Sequence, residues 1–344
     1  MEKPNFRTEL LRTLEGKTPA RIPAGIFTTA PIIELMDLSG AARPEADNQP
    51  EKMAVLAFSQ YVNASFETVR YPFDMVVLAE ALGCAVDPGT KVKLPAVLRG
   101  SMEISPSVPE LPEDMLERGR IPAVLQATEI LREKAGSHLP LIAGMEGPAD
   151  LAASLCGITH FLKWTIKRPH IVSRLIDFCT DACIIYAREC LKRGADVVVF
   201  VDAISSPNMI SPDTFRSLVK PGLERVPKAL SGGKSVLHIC GAADSIIYDI
   251  AACGFDGLSL EGGTKNLKTA SRFAHESGAA LIGNIPTSGT LFRGSPEDVK
   301  KEALTYLESG IDVLAPGCGL APKTPLKNLK ALVEARNEFC ERKR

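Results

Sequence analysis

Two hydrophobic patterns alternate along most of this chain. Some segments, such as residues 196–202, are apolar at nearly every position, which is typical of parallel strands buried on both faces. Others, such as residues 121–135, repeat apolar positions every three or four residues, which predicts amphipathic helices. Eight strands are predicted, over residues 24–28, 69–78, 139–145, 196–202, 235–239, 257–261, 279–283 and 311–315.

Helices are predicted before the first strand and between most of the later ones. Phe6, Leu10, Leu11 and Leu14 share one helical face in an N-terminal helical extension over residues 1–20. The other predicted helices span residues 50–65, 121–135, 148–193 (as two or three helices), 212–230, 243–252, 267–277, 296–309 and 325–341. This alternation predicts an α/β (β/α)8 TIM barrel that forms a single domain over residues 1–344.

The alternation is interrupted over residues 87–112, which hold five prolines and show little periodicity. We predict an irregular excursion across one end of the barrel, in extended form or as a hairpin.

Composition and charge narrow the class of protein. The 344 residues are 45% hydrophobic, enough for one large barrel core. The net charge is −1 and no long block of basic residues occurs, so we expect no nucleic-acid partner. The N-terminus lacks an apolar signal core and no run of eighteen apolar residues occurs, so we expect a cytoplasmic protein without a membrane partner.

Nine cysteines, an odd number, favour reduced thiols and metal chemistry over disulfides in that compartment. Free cysteine is among the most buried residue types, and seven of the nine are interpreted as packing residues. These are Cys84, Cys156, Cys179, Cys183, Cys190, Cys253 and Cys340.

The remaining two cysteines lie with a histidine at predicted strand ends. His238 and Cys240 end one strand and point to the same side, because residues i and i+2 of a strand share a face. Cys318 follows the last strand, between two glycines. The carboxyl ends of barrel strands meet at one mouth. We therefore predict that these three residues hold one zinc ion, with core packing as the alternative that the spacing leaves open.

Three acidic residues are predicted at the same mouth. Glu261 ends the strand next to that of His238; it would be a fourth zinc ligand while substrate is absent, a carboxylate that orients His238, or a surface acid. Asp202 and Glu146, at two other strand ends, are candidate catalytic proton acceptors or hydrogen-bonded loop anchors.

Several segments resemble one enzyme family. VLHICGAAD, GNIPTSGTL and GIDVLAPGCGLAPKTPLKNLKALVEA are similar to the methylcobamide:coenzyme M methyltransferases of the uroporphyrinogen decarboxylase superfamily. GMEGP, ISP at residues 210–212 and RYPFDMVVLAEALGC extend the resemblance over nearly the whole chain. The resemblance implies a TIM barrel in which His238, Cys240 and Cys318 bind a catalytic zinc ion.

The resemblance also implies an activity and its partners. Such enzymes move a methyl group from a methylcobamide, carried by a partner corrinoid protein, to the thiol of coenzyme M. One Zn²⁺ per chain is expected. In the loop over residues 283–290, Asn284, Thr287 and Ser288 are candidate binding residues for the sulfonate of coenzyme M, unless its glycines merely turn the chain.

The ligand types agree with that chemistry. Two cysteine thiolates cancel the charge of zinc, so a substrate thiolate stays electron-rich and nucleophilic. A shell of histidines alone suits water activation for hydrolysis. Three protein ligands also leave the open position that a catalytic zinc site needs.

Three alternatives remain. One is metal-free decarboxylation of a porphyrinogen, which needs arginines in the first loop, whereas no basic residue occurs between Ile26 and Arg43. Another is zinc-dependent alkyl transfer to a different thiol or to a folate. The third is a non-enzymatic module that binds corrinoid proteins and has no need of an open metal site.

Other polar residues fit the site less well. Asp74 and Glu80 match the superfamily's acidic pattern only loosely. The remaining histidines are interpreted as structural, namely His138, His160, His170 and His275.

Overall fold

A curled parallel sheet organises the molecule, whose computed structural model describes residues 5–102 and 108–342. Nine strands occur in those residues: β1 (Val69–Tyr71), β2 (Ala85–Asp87), β3 (Ala96–Arg99), β4 (Leu141–Glu146), β5 (Val197–Val201), β6 (Lys234–Ile239), β7 (Gly257–Leu260), β8 (Ala280–Ile285) and β9 (Val313–Pro316). Seven of them form one sheet in the order β1-β4-β5-β6-β7-β8-β9, and all neighbours are parallel. The predicted α/β barrel class is confirmed.

The ring closes through an irregular segment instead of a full eighth strand. Of the strand predicted over residues 24–28, only a bridge between Ala24 and Leu314 has formed. Gly25 N–H donates to Leu314 O at 3.0 Å, and Glu67 N–H donates to Ala24 O at 2.9 Å. The segment thus contacts both β9 and the chain entering β1. Pro23 has no N–H for a ladder, which favours this irregular pairing.

A buried ion pair supports that closure. Arg336 donates to the two carboxylate oxygens of Glu67 at 2.7 and 2.6 Å, and it also donates to Ile22 O. The same carboxylate accepts the Ala24 N–H at 3.2 Å and pairs with Arg21. Arg336 therefore connects the last helix to the segment that completes the ring.

Helices cover the outside of the barrel, as predicted. They are α1 (Phe6–Thr13), α2 (Ile33–Ser39), α3 (Glu45–Asn48), α4 (Pro50–Val62), α5 (Val77–Ala81), α6 (Ile121–Ala135), α7 (Pro148–Cys156), α8 (Ile158–Lys167), α9 (Pro169–Lys192), α10 (Pro212–Thr214), α11 (Lys220–Ala229), α12 (Ile247–Ala251), α13 (Leu267–Glu276), α14 (Thr290–Arg293), α15 (Pro296–Glu308) and α16 (Leu326–Arg342). A π-helical turn, Phe215–Val219, joins α10 to α11. Within the described ranges, no helix has both the length and the apolarity to cross a bilayer.

The predicted second strand is shorter than expected. The strand predicted over residues 69–78 ends at Tyr71, because Pro72 cannot donate to a ladder and the chain turns into α5.

The excursion predicted over residues 87–112 contains part of an antiparallel hairpin of β2 and β3. Residues 103–107 of the excursion lie outside the described residues.

The barrel interior is apolar in its lower part and polar at its mouth. Ile142, Val199, Val236, Ile282 and Val313 belong to one buried cluster. Positions two and four residues further along the strands share that inward direction, and they carry polar side chains toward the carboxyl ends. Strand register therefore brings polar groups together above an apolar floor.

Candidate metal centre and active site

His238, Cys240 and Cys318 converge on one point at the barrel mouth. His238 faces inward near the end of β6, Cys240 follows that strand, and Cys318 follows β9. Their ligand atoms all lie within 4.8 Å of one another. Cys240 Sγ is 3.4 Å from His238 Nε2 and 3.8 Å from Cys318 Sγ. This spacing can close around a single tetrahedral ion with small side-chain movements.

The other ring nitrogen of His238 contacts a neighbouring strand. Nδ1 lies 3.0 Å from the hydroxyl of Ser259, which is paired with His238 in the β6–β7 register. Donation from Nδ1–H to this hydroxyl leaves the lone pair of Nε2 directed at the two thiols. Such a contact fixes the tautomer and orientation of a ligating imidazole.

The two thiols differ from six of the seven packing cysteines in exposure, and they also have shifted pKa values. Cys240 and Cys318 are half-buried, as is Cys340, whereas the other six cysteines are buried. A hydrogen bond from the Cys240 thiol, assisted by His238, lowers the pKa of Cys318 to about 4. The same pairing raises the pKa of Cys240. The pair readily holds one negative charge, and a bound cation would offset a second.

Glu261 lies beside this group but outside it. Its carboxylate accepts the backbone N–H of Gly241, the residue after Cys240. The contact shapes the turn after β6, where Gly241 has a φ of 71°. In this conformation Ser259, rather than Glu261, contacts the imidazole of His238.

Asp202 is buried at the end of β5, as its sequence position predicts. Its backbone N–H donates to His238 O at 2.9 Å. Its carboxyl oxygens accept from Asp150 N–H at 2.8 Å and from the Ser205 hydroxyl at 2.9 Å. Burial raises the pKa of Asp202 to about 7. These contacts tie the loops after β4 and β5 together next to His238.

Asp150, which the sequence analysis missed, caps the neighbouring loop. It accepts the Ile204 N–H at 2.6 Å, and burial together with the Asp202 carboxyl raises the pKa of Asp150 to about 8.

Glu146 ends β4 and points into the barrel. Glu146, Val201, His238 and Ser259 follow one another in strand register, so their side chains share the inner face. Glu146 Oε1 accepts the Ala79 N–H at 3.3 Å, and Oε2 has no hydrogen-bond partner among the described residues. Burial raises the pKa of Glu146 to about 7.

The predicted sulfonate-binding residues lie in different environments. Asn284 is buried near the end of β8; its Nδ2 donates to Glu261 O at 3.3 Å, and its Oδ1 has no partner in the described part of the chain. Thr287 is buried, whereas Ser288 is exposed. None of the three is among the residues that line the cavity beside His238 and Cys318.

The residues interpreted as peripheral have structural partners. Asp74 accepts two hydrogen bonds from Arg120, at 2.7 and 3.1 Å, and Glu80 accepts a third at 2.6 Å. His275 pairs with Asp312 at 2.8 Å. His138 packs against Phe6 with the two rings tilted by 57°, and His160 stacks on Trp164.

One hollow adjoins His238 and Cys318, and a second hollow lies next to the first. A cavity of about 280 Å³ lies against His238 and Cys318 and is bounded by Thr28, Thr29, Met75, Val76, Leu94, Pro95, Val201 and Gly319. A wider groove of about 520 Å³ shares Met75 and continues past Leu98, Asp150, Ile158, His160 and Ile204. The hairpin contributes Leu94 to the first and Leu98 to the second, so it borders both.

Comparisons with known proteins agree with this geometry. The family model Uroporphyrinogen decarboxylase (URO-D) matches residues 5–339. The methylcobamide:CoM methyltransferase MtaA of Methanosarcina barkeri is 43% identical over 98% of this chain and 99% of its own length. The methylcobamide:CoM methyltransferase MtbA of Methanosarcina acetivorans is 32% identical over 97% and 98%. A solved methyltransferase structure from Methanosarcina mazei matches with a TM-score of 0.95 and 42% identity, over 98% of this chain and 99% of that one. The chain therefore belongs to the methylcobamide:CoM methyltransferases within the uroporphyrinogen decarboxylase family.

Proposed function

We propose that this protein transfers a methyl group from a methylated corrinoid protein to the thiol of coenzyme M, with zinc held by His238, Cys240 and Cys318. The observation that carries the proposal is one imidazole and two thiols within 4.8 Å of one another, beside a cavity of about 280 Å³. The strong similarity to methyltransferases named for CoM supports the choice of thiol.

The side chains of His238, Cys240 and Cys318 are suited to bind zinc. Cysteine and histidine are the usual ligands of zinc, and three of them leave one position for substrate. A zinc ion bound there would keep the substrate thiol deprotonated, whereas a free thiol with a pKa of about 8.5 is mostly protonated at neutral pH.

The chain's own residues supply orientation and proton handling. Ser259 holds the ring of His238, and Asp202 holds the two loops beside it. Glu146 Oε2 has no hydrogen-bond partner among the described residues, and the pKa of about 7 suits a group that takes a thiol proton near neutral pH. We assign proton acceptance to Glu146 and loop anchoring to Asp202. Glu261 would be the fourth zinc ligand while the thiol is absent, after release of its contact with the Gly241 N–H.

The wider groove suits the methyl donor. Leu98 and Ile158 are 70% and 47% exposed at its rim, and it opens beside the thiol cavity through Met75. A corrinoid ring is large and this groove is the larger of the two hollows, so we place its approach here. Leu98→Asp should weaken methyl transfer from the corrinoid protein by about tenfold while preserving the affinity for coenzyme M, because a charge would be buried at the interface. The same change at Val62, an exposed position on α4, is the control.

The test combines metal content with product analysis. Zinc-loaded protein is mixed with the methylated corrinoid protein and coenzyme M, and methylated thiol and demethylated cobalt are measured. Cys240→Ala and Cys318→Ala should lose most zinc and nearly all transfer, while Cys340→Ala, a half-buried cysteine on α16, should keep both.

The outcomes separate the alternatives. Transfer to a folate or to another thiol, with none to coenzyme M, would show that coenzyme M is not the acceptor. The proposed metal site would be unaffected by this result. Full zinc retention in both cysteine variants would reject the ligand assignment. Decarboxylation of a porphyrinogen by protein free of metal would reject the proposal as a whole.

A further inference from the structure

One side chain separates the two hollows at the barrel mouth. The thiol cavity, of about 280 Å³ beside His238 and Cys318, and the wider groove, of about 520 Å³, have Met75 in common; among the described residues, no other one lines both. Met75 is half-buried and packs against the apolar cluster inside the barrel. Its side chain therefore forms the partition at which the two hollows would join.

The hairpin of β2 and β3, which borders both hollows, is held at two points. Near its tip, Arg43 Nη2 donates to Lys93 O at 3.4 Å. After β3, Gly100 packs so tightly against Leu155 O that a Cβ would not fit there. These contacts oppose a movement of the hairpin as a whole.

The chain after β5 borders both hollows as well, and its backbone is fixed by hydrogen bonds. Val201 lines the thiol cavity and Ile204 lines the groove. Between them, the Asp202 N–H donates to His238 O at 2.9 Å, and the Ile204 N–H donates to Asp150 Oδ1 at 2.6 Å. This wall cannot open without breaking those bonds.

The backbone around Met75 is fixed too, but the Met75 side chain can move. Asp74 Oδ1 accepts the Val76 N–H at 3.0 Å, and both carboxyl oxygens of Asp74 accept from Arg120 at 2.7 and 3.1 Å. The Met75 sulfur accepts a weak contact from Arg70 at 3.9 Å. Methionine is unbranched and flexible, so it changes rotamer at low cost. This side chain is therefore the part of the partition that can turn aside.

Methyl transfer requires the two hollows to be joined. The thiolate sulfur attacks the methyl carbon, an S–C bond forms as the Co–C bond breaks, and the electron pair of the broken bond stays on cobalt. Sulfur and carbon must first come within about 3–3.5 Å of each other. A thiol beside His238 and Cys318 and a methyl donor in the groove lie on opposite sides of Met75.

We propose that Met75 is a gate, a positioning residue whose side chain separates the thiol cavity from the groove in the free protein and turns aside when the methyl donor docks. The proposal rests on the proposed function, because that function puts the thiol in one hollow and the donor in the other. The docked donor favours the open rotamer because it contacts the thiol only in that state. In the closed state the partition shields the thiol from other alkylating molecules.

Two substitutions change the partition in opposite directions. Met75→Phe makes it larger and stiffer, and Met75→Ala removes most of it. Calorimetry measures thiol binding to the zinc-loaded protein, and cobalt absorbance measures a single round of transfer from the methylated corrinoid protein at saturating coenzyme M. Met75→Phe should slow transfer by about 100-fold, as expected for reacting groups held about 1 Å too far apart, and change thiol affinity by less than about threefold.

Met75→Ala should bind the thiol normally and transfer at least as fast as the wild type, since its gate is always open. Met209→Phe is the matched control for Met75→Phe. Met209 is 38% exposed and lines neither hollow, so this variant should behave as the wild type.

A second measurement does not depend on methyl transfer. Cys318 lines the thiol cavity, so the alkylation of its thiol reports on access to that cavity. Full-length protein is freed of zinc, its far-UV signal is verified, and it is treated with iodoacetamide or with the bulky N-(1-pyrenyl)maleimide. Peptide mass spectrometry follows the label at Cys318, with Cys340 as the internal reference. The ratio of the bulky to the small reagent's rate should rise severalfold in Met75→Ala and stay unchanged in Met209→Ala.

The results separate the gate from the function. Transfer at the wild-type rate in Met75→Phe, or equal losses of thiol affinity and transfer, would overturn the gate. If the wild type methylates no thiol, the proposed function fails and the alkylation ratio decides the gate. A raised ratio in Met75→Ala supports the partition, whereas equal ratios in wild type and variant overturn it. The same ratio decides the question if Met75→Phe does not fold.

Discussion

At the residue scale, the contact between His238 and Ser259 has a measurable consequence. Ser259 is buried on β7, and its hydroxyl contacts the ring nitrogen that faces away from the thiols. Partners of this kind raise the basicity of a ligating imidazole and hold its orientation. The affinity of the site for metal should therefore depend on a residue that does not touch the metal.

We expect Ser259→Ala to lower zinc affinity by about 10-fold to 100-fold, because the imidazole loses its orienting partner. Competition with a chromophoric chelator measures the affinity. Ser271→Ala is the matched control, since Ser271 is also buried and its hydroxyl donates to Gly310 O at 3.0 Å, on the outside of the barrel. Equal zinc affinity in the two variants would show that Ser259 has no such role.

Glu146 couples protein stability to pH. Burial raises its pKa from 4.5 to about 7 in the folded protein. Below pH 4.5 both the folded and the unfolded state keep the proton; as pH rises toward 7, the unfolded state releases it first, so the free energy of unfolding decreases. The buried carboxyl therefore favours folding at low pH, and this contribution is lost as pH rises through about 7.

In the wild type, Glu146 should lower the unfolding free energy by on the order of 3 kcal/mol between pH 4.5 and pH 7.5. We expect Glu146→Gln to lack this decrease. Urea unfolding of wild type and variant across that range measures it. Asp150 and Asp202 titrate in both proteins, so the difference between the two curves isolates Glu146. Parallel curves would contradict the raised pKa.

The residues of the site differ in how far the sequence predicts them. His238, Cys240 and Cys318 could be brought together from strand ends alone, because barrel geometry converts those positions into one mouth. Ser259 could have been found from its register with His238. Arg70 interrupts an apolar strand, but the pairing of the nearby Asp74 with Arg120 depends on how the loop after that strand packs. That arrangement is a property of the tertiary structure.

At the scale of elements, the closure of the barrel depends on side chains where a strand is missing. Glu67 and Arg336 are 8% and 1% exposed in their side chains. Together they hold the backbone of Ile22 and Ala24 in place. The charge of Arg336 would be left in the interior without compensation if Glu67 were removed.

Glu67→Ala should lower the unfolding free energy by about 3–5 kcal/mol, since breaking a buried pair leaves an unpaired charge. Urea unfolding at neutral pH measures the change. Glu129→Ala breaks an exposed pair with Arg193 and should have little measurable effect. If the two variants lose similar stability, the closure does not depend on this pair.

Prediction of the elements failed where local chemistry overrode periodicity. Residues 69–78 have an apolar pattern, yet Pro72 removes a donor and the strand stops at Tyr71. Residues 24–28 were predicted as a strand, yet the glycine at position 25 packs so tightly that a Cβ would lie 2.7 Å from Thr68 Cγ2. Neither the missing N–H donor nor the tight packing is visible in hydrophobic periodicity. The longer units, such as β4 to β8, matched because their runs are apolar on both faces.

At the scale of the whole molecule, the proposed metal ligands lie at the rim of a barrel whose strands and core are stabilised by other residues. The parallel ladders and the two buried clusters do not pass through Cys240 or Cys318. This differs from small zinc domains, in which metal binding supplies the folding free energy.

We expect chelation of zinc to leave the helical far-UV signal and cooperative unfolding intact. The loss of stability should equal the linkage contribution alone, about 4 kcal/mol when free zinc had been roughly 1,000 times its Kd. Circular dichroism and thermal unfolding, with and without chelator, measure both quantities. Loss of the native helical signal on chelation would mean that the metal is structural.

The distance along the chain between the metal ligands also determines when the site can exist. Cys240 and Cys318 are 78 residues apart, and β9, which positions Cys318, pairs with the segment around Ala24. A nascent polypeptide on the ribosome has the His238–Cys240 pair long before it has the third ligand. Metal loading at the proposed site would therefore follow synthesis of the last strand, and a product truncated before β9 would have two of the three proposed ligands and no closed ring to hold them.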